Sequence, residues 1–174
     1  MANIKVSEMT EATSFDDGDY TMIVQANQNK KISKENLLKN PAEFIVVTIS
    51  NSQTVTSNSQ VEFDAITRKN GNFTLSNGAV VIGEGINHIR ISGSIFVDNW
   101  AGSTNYLWAT IRKNNAAINS SINGGTSSYL SGSVPFSIID VQENDVISLV
   151  ADSPSGGNLR NGFSNTWLCV EKID

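Results

Sequence analysis

The chain has 174 residues, a formal net charge of −5, 39% hydrophobic residues and 17% charged ones. No Lys/Arg run is present, which argues against the phosphate-neutralising surface of a duplex nucleic-acid binder. The longest apolar runs, such as Phe44 to Val47, are far too short to span a bilayer, so no membrane insertion is expected. The single cysteine, Cys169, cannot form an internal disulfide, and with the single histidine, His88, it cannot make a structural zinc site.

Residues 1–42 are expected to be an N-terminal extension. They hold much of the charge and too few apolar residues for a core of their own. Met1 to Glu11 has no apolar h-region, so no signal peptide is expected. Asp16-Asp17-Gly18-Asp19 lacks the twelve-residue loop and closing Glu of a calcium site and reads as a solvated turn. Ser33 can cap a short helix over residues 34–39, which Asn40-Pro41 would end.

From Glu43 onward, period-two apolar spacing between turn clusters predicts strand after strand. Phe44 to Ser50 is the first strand, and the polar stretch Ser52 to Gln60 is a connection. Val61, Phe63 and Ala65 alternate with Glu62, Asp64 and Ile66. Asn70-Gly71 and Asn77-Gly78 both read as hairpin turns. In the long strand Ile86 to Asp98, Ile89, Ile91, Gly93, Ile95 and Val97 share one face, and His88, Arg90, Ser92, Ser94 and Phe96 the other. Tyr106 to Arg112 is apolar or aromatic on both faces, which calls for a second subunit as cover. Tyr106, Trp108, His88 and Phe96 are the expected subunit-interface residues.

Lys113-Asn114-Asn115 turns the chain into Ala117 to Ile122. Ser131 to Asp152 reads as two strands joined by a tight turn at residues 142–145. Val134, Phe136 and Ile138 are placed on one face of the first of these strands. Ser153 to Gly162 reads as a loop, and Phe163 to Ile173 closes the chain, with Cys169 as a small buried apolar residue. About ten short strands and no helix beyond Asn40 predict an all-β sandwich or jelly roll.

Catalytic signals are weak. His88 has no G-x-S-x-G elbow to serve, and no phosphate-binding glycine loop is present. Glu143 and Asp145 could form a glycosidase-like carboxylate pair, but they fall on a turn. No catalytic residue, metal or cofactor is therefore expected. Recognition by loops is the better reading. Trp100, beside Asn99, could stack on a sugar or a protein surface, or fold back over the core. Asn158 and Arg160 in the last loop are further ligand candidates.

Ser131-Gly132-Ser133-Val134, the turn Glu143-Asn144-Asp145-Val146 and the strand after it resemble the penultimate strand pair of the complement-head and tumour-necrosis-factor family. Asn144 stands where that family has glycine. Gly85 to Ser92, Leu107 to Asn115 and Phe163 to Leu168 resemble other strands of the family in the right order, with Asn165 replacing a second glycine. The resemblance covers residues 43–174 and implies a ten-stranded jelly roll that assembles as a homotrimer.

The stretch Ile4-Lys5-Val6-Ser7-Glu8-Met9-Thr10-Glu11, with Asp17-Gly18-Asp19 and Lys30-Lys31-Ile32-Ser33-Lys34-Glu35-Asn36-Leu37-Leu38 after it, is similar to the leader of tailed-bacteriophage structural proteins. This implies a virion protein made in the host cytoplasm, a trimeric head fibre or tail appendage. Its leader would dock on a capsid or tail protein, and its jelly roll would meet a host surface glycan or protein. A decoration protein that only stabilises the shell, and a carbohydrate-active enzyme on a jelly-roll scaffold, are the alternative expectations.

Overall fold

The computed structural model describes residues 20–25, 28–33, 42–98, 105–125, 129–154, 156–162 and 164–173. The chain divides into two units, Met1–Pro41 and Ala42–Asp174. In the first, β1 (Tyr20–Gln25) and β2 (Gln28–Ser33) form an antiparallel hairpin, with Tyr20 opposite Ser33 and Gln25 opposite Gln28. The sequence reading placed no strand there. The helix expected over residues 34–39 and the acidic stretch 16–19 lie outside the described residues.

The second unit is a sandwich of two antiparallel sheets. The seven-stranded sheet runs β4 (Gln53–Val55), β14 (Gly157–Leu159), β9 (His88–Asp98), β15 (Trp167–Lys172), β3 (Phe44–Thr48), β6 (Ala65–Asn70), and β12 (Tyr129–Asp140) also pairs with β9. The six-stranded sheet runs β11 (Ala116–Gly125), β10 (Asn105–Lys113), β13 (Val146–Asp152), β8 (Ala79–Ile82), β7 (Phe73–Ser76), and β5 (Ser59–Gln60) also pairs with β13. Ten of these strands have four residues or more, as expected for a jelly roll. The three shorter ones, β4, β5 and β14, arise in stretches that read as loops, because such short pairings carry no periodic signal.

The core lies between the sheets. β9 places Ile89, Ile91, Gly93, Ile95 and Val97 inward, as its alternation predicts. Leu107, Ala109 and Ile111 of β10, and Ile147, Leu149 and Ala151 of β13, are buried in the same cluster. Each large aliphatic side chain removed from water there contributes about 2 kcal/mol. Two glycines set how closely the layers approach. A Cβ on Gly132 would stand 3.2 Å from the Ala109 Cβ, and one on Gly93 would stand 3.3 Å from Leu149 Cδ2.

The turns divide into two kinds. Asn77-Gly78 joins β7 to β8, with φ of 48° and 72°, and Asn114-Asn115 joins β10 to β11, with φ of 48° and 68°. Both are two-residue hairpin turns with positive φ at each central residue, the geometry that asparagine and glycine tolerate best. Asn144 also takes a positive φ, 69°, as the replacement of glycine requires. Asn70-Gly71, expected to be a hairpin turn, instead links β6 of one sheet to β7 of the other. Residues 142–145 likewise carry the chain between sheets: β12 pairs with β9 and β13 with β10, not with each other.

Three further expectations are corrected. Val61 and Phe63 are buried but lie outside any strand; Phe63 makes an isolated bridge to Gly78, and the ladder begins at Ala65. Val134, Phe136 and Ile138 do not share a face. Val134 is buried, whereas Phe136 and Ile138 are 66% and 60% exposed. The cause is a bulge between Val134 and Ser137, which adds one residue to β12 against β9 and reverses its alternation. Pro135 sits in the bulge, where its missing N–H costs no ladder bond. Cys169 is only half-buried; it points to the outer side of its sheet, while its neighbours Leu168 and Val170 point into the core.

The glycine contact gives a direct test. Gly132→Val puts methyl groups into the Ala109 wall and is expected to destabilise the fold by about 1–3 kcal/mol. Ser133→Val, one residue on and facing outward, is expected to change stability by less than about 0.5 kcal/mol. Urea unfolding of the two variants against the parent chain measures the difference.

Candidate functional site

With one parity of the long strands β9 and β10 committed to the core, the outer parity carries what remains for function. The sandwich therefore offers two outer faces, one on each sheet.

On the seven-stranded sheet, β9 presents His88, Arg90, Ser92, Ser94, Phe96 and Asp98 outward. At one end lies an aromatic and charged cluster. The Phe96 and Tyr129 rings stack with centroids 5.7 Å apart and planes 13° apart. The Arg160 guanidinium lies 5.5 Å from the Phe96 ring centroid, and its Nε donates to Asp98 Oδ2 at 2.7 Å. The Arg160 backbone N–H donates to the Phe96 carbonyl, which fixes its place beside the ring. Asn158 belongs to β14, paired with β4 and β9, rather than to a free loop; its Oδ1 accepts from Thr54 Oγ1 at 3.3 Å.

The middle of this face is small and polar. Ser94 and Ser133 approach to 3.3 Å between hydroxyls, and Cys169 stands opposite Ser92 and Val46. Burial pushes the Cys169 thiol above its ordinary pKa and nearby Glu171 adds to the effect, against an opposing pull from Arg90, so it stays protonated at neutral pH. At the far end Arg90 pairs with Glu171, and His88 Nε2 lies 3.5 Å from Asp140 Oδ1. Ile138 stands beside Arg90 and is exposed, as are Phe136 and Tyr129 on the same strand.

On the six-stranded sheet, Tyr106, Trp108, Thr110 and Arg112 share the outer face of β10. The Tyr106 and Trp108 rings lie 5.3 Å apart at 42°. The register places Trp108 between Ile122 of β11 and Asp152 of β13, and Thr110 between Ser120 and Val150. Trp108, Thr110, Ser120, Val150 and Asp152, with Asn58, Arg112 and Ala117, line a depression of about 320 Å³. Arg112 Nη2 donates to Asn58 Oδ1 at 2.6 Å, while Arg112 Nε and Asp152 Oδ1 are buried with no hydrogen-bond partner in the protein.

The four expected interface residues thus fall on two faces. His88 and Phe96 belong to one sheet, Tyr106 and Trp108 to the other, because β9 and β10 lie in different layers. Of the ligand candidates, Arg160 joins Phe96 in one cluster, Asn158 is held in the adjoining strand, and Asn99 and Trp100 lie outside the described residues. Sequence reasoning missed Tyr129, Asp98, Arg112 and Asp152. The only signal was a charged residue, Asp152, ending a largely apolar strand.

Asp145 is committed to the fold. Its Oδ1 accepts from Asn114 Nδ2 at 2.6 Å, and its Oδ2 accepts from the Gln142 N–H at 2.9 Å and pairs with Lys113 Nζ at 3.1 Å. Burial pushes its carboxyl up, but the Gln142 N–H, Asn114 and Lys113 together outweigh it and hold the pKa below the ordinary 3.8. A depressed folded pKa means stability that is present above the unfolded value and lost as pH falls through the folded one. Asp145→Asn is therefore expected to melt below the parent at pH 7. The gap should begin to close as pH drops below about 4 and vanish only below the depressed folded pKa, where the parent carboxyl is neutral in both states. Thermal melts of both chains from pH 7 to pH 2.5 read this directly.

No protein-family model matches the chain, and no curated protein matches it in sequence. Among solved structures it is similar to murine APRIL at pH 5.0, with a TM-score of 0.60 and 11% identity over 76% of this chain and 100% of that one. It is similar also to murine APRIL at pH 8.5, with a TM-score of 0.59 and 12% identity over 76% and 100% of the two chains. Eiger TNF from S. frugiperda follows with a TM-score of 0.55 and 8% identity, over 77% of this chain and 94% of that one. At such identities the likeness speaks for the fold alone, and with two antiparallel sheets in this order the fold is a tumour-necrosis-factor-like jelly-roll sandwich.

Proposed function

We propose that this chain is a non-enzymatic structural protein of a tailed-bacteriophage virion, a homotrimeric head fibre or tail appendage. Residues 1–42 attach it to a capsid or tail protein, and the jelly roll of residues 43–174 is presented to the host surface. The observation that carries the assembly is the outer side of β12. Tyr129, Phe136 and Ile138 are 57%, 66% and 60% exposed on one strand, a cost in water that a neighbouring copy would remove. The virion part is supported by the resemblance of the leader alone. The tumour-necrosis-factor-like fold suits a binding head, and the full use of Asp145 in hydrogen bonds removes half of the one carboxylate pair that suggested hydrolysis.

Light scattering on the full chain at micromolar concentration is expected to give about three times the 18.8 kDa chain mass. Ile138→Lys, with Phe136→Asp as a second variant, is expected to shift the mass towards one chain while the circular dichroism of the sandwich is kept. A parent that runs as a monomer would sink the assembly reading. Immunogold labelling of purified particles tests the virion reading separately, and unlabelled particles would sink it.

A further inference from the structure

We propose that the depression on the outer face of the six-stranded sheet, built on Trp108 and bounded by Asn58, Thr110, Arg112, Ser120 and Asp152, is a binding site for one ring of a neutral saccharide. The inference rests on the reading of the jelly roll as a recognition head, but not on where the protein sits in a particle.

Size comes first. At about 320 Å³ the depression is at the low end of small-molecule sites, room for a sugar ring and little more. Its aromatic wall comes next. Trp108 is 43% exposed and braced by Tyr106, so a rigid flat surface stands open to water. The C–H face of a pyranose is an apolar partner of the right breadth for such a ring, while its hydroxyls point to the sides.

The polar rim supplies what the hydroxyls need. Asn58, Thr110 and Ser120 offer an amide and two hydroxyls around the depression. Asp152 Oδ1 and Arg112 Nε are buried at its edge without a partner, one an acceptor and the other a donor. A buried polar atom left unpaired costs free energy that a hydrogen bond restores. A sugar hydroxyl both donates and accepts, so it suits an acceptor and a donor alike.

Charge selects among saccharides. Asp152 and Arg112 contribute opposite charges to the same rim, and the chain is acidic overall. Arg112 Nη2 already gives one N–H to Asn58 Oδ1. An acidic sugar would meet the Asp152 carboxylate, a like charge on the same rim. A neutral hexose or N-acetylhexosamine meets no such penalty. Apart from Asn58, which lies on the turn before β5, the lining residues stand on the paired strands β10, β11 and β13, which suits a preformed pocket.

The test is a printed array of neutral glycans ending in glucose, galactose, mannose or N-acetylhexosamine, with their sialylated and uronylated counterparts, probed with the full chain. Retention on a neutral glycan is expected. Trp108→Ala and Asp152→Asn should each weaken it about tenfold, the loss of one good contact. Lys69→Ala, on the other sheet, should leave it unchanged, and melting temperature and solution mass should match the parent in all three. The proposal is overturned if the chain, at its assembled mass, holds no glycan. It is equally overturned if only acidic glycans are held, or if Trp100→Ala abolishes binding while Trp108→Ala does not. A monomeric chain that still binds a neutral glycan through Trp108 would overturn the trimer and leave this site standing.

Discussion

Everything in this domain depends on alternation. A strand sends successive side chains to opposite faces, and in a two-layer sandwich one of those faces must fill the gap between sheets. β9 shows the constraint in full: five inward positions hold Ile89, Ile91, Gly93, Ile95 and Val97, and none of them is free for anything else. The other parity carries a different chemistry, from His88 through Ser94 to Asp98. Function must be written on that outer parity. A change of one residue in register would exchange the two sets.

The bulge in β12 uses that rule. Above it, Leu130, Gly132 and Val134 face the core. Below it, the added residue turns Ile138 outward beside Arg90, and Phe136 is left exposed at the kink. Burying two such side chains in a contact between copies contributes roughly 3–6 kcal/mol of transfer free energy per chain before the cost of association. A one-residue insertion thus converts a core strand into a surface with an apolar edge, while its pairing with β9 resumes below the bulge.

How much of this was legible in the sequence follows from the range of each interaction. The alternation of β9 and β13 is local, so the core residues could be read from spacing. Sheet membership is not local. Asn70-Gly71 and Asn77-Gly78 are the same dipeptide with the same backbone tolerance, yet one crosses between sheets and the other closes a hairpin. Nothing within a few residues distinguishes them; the choice is made by which distant strands have already paired. The same limit applies to the expected interface residues. Phe96 and Trp108 both looked like outward aromatics of one interface, but the chain crosses between layers from β9 to β10, and the two rings lie on different sheets. The bulge was invisible for a related reason: Pro135 marks a weak point in a ladder, but only the partner strand shows where the extra residue falls.

The division between faces has a functional consequence. The apolar edge at Phe136 and Ile138 belongs to the seven-stranded sheet, and the Trp108 depression belongs to the six-stranded one, on the other side of the core. Assembly through the first sheet alone would leave the second uncovered, and a homotrimer built that way would not consume its own recognition surface. That matters because a site for a single sugar ring makes few contacts. Its affinity would be of order millimolar, about 4 kcal/mol, which is too weak for one copy to hold a cell. If three copies were carried on one particle, each contact after the first would be intramolecular, at an effective concentration that can reach the millimolar range. Weak single sites then suffice, and they bring an advantage of their own. Each contact can break and re-form while the others hold, so an appendage of this kind can move over a glycan-covered surface instead of being fixed where it first lands.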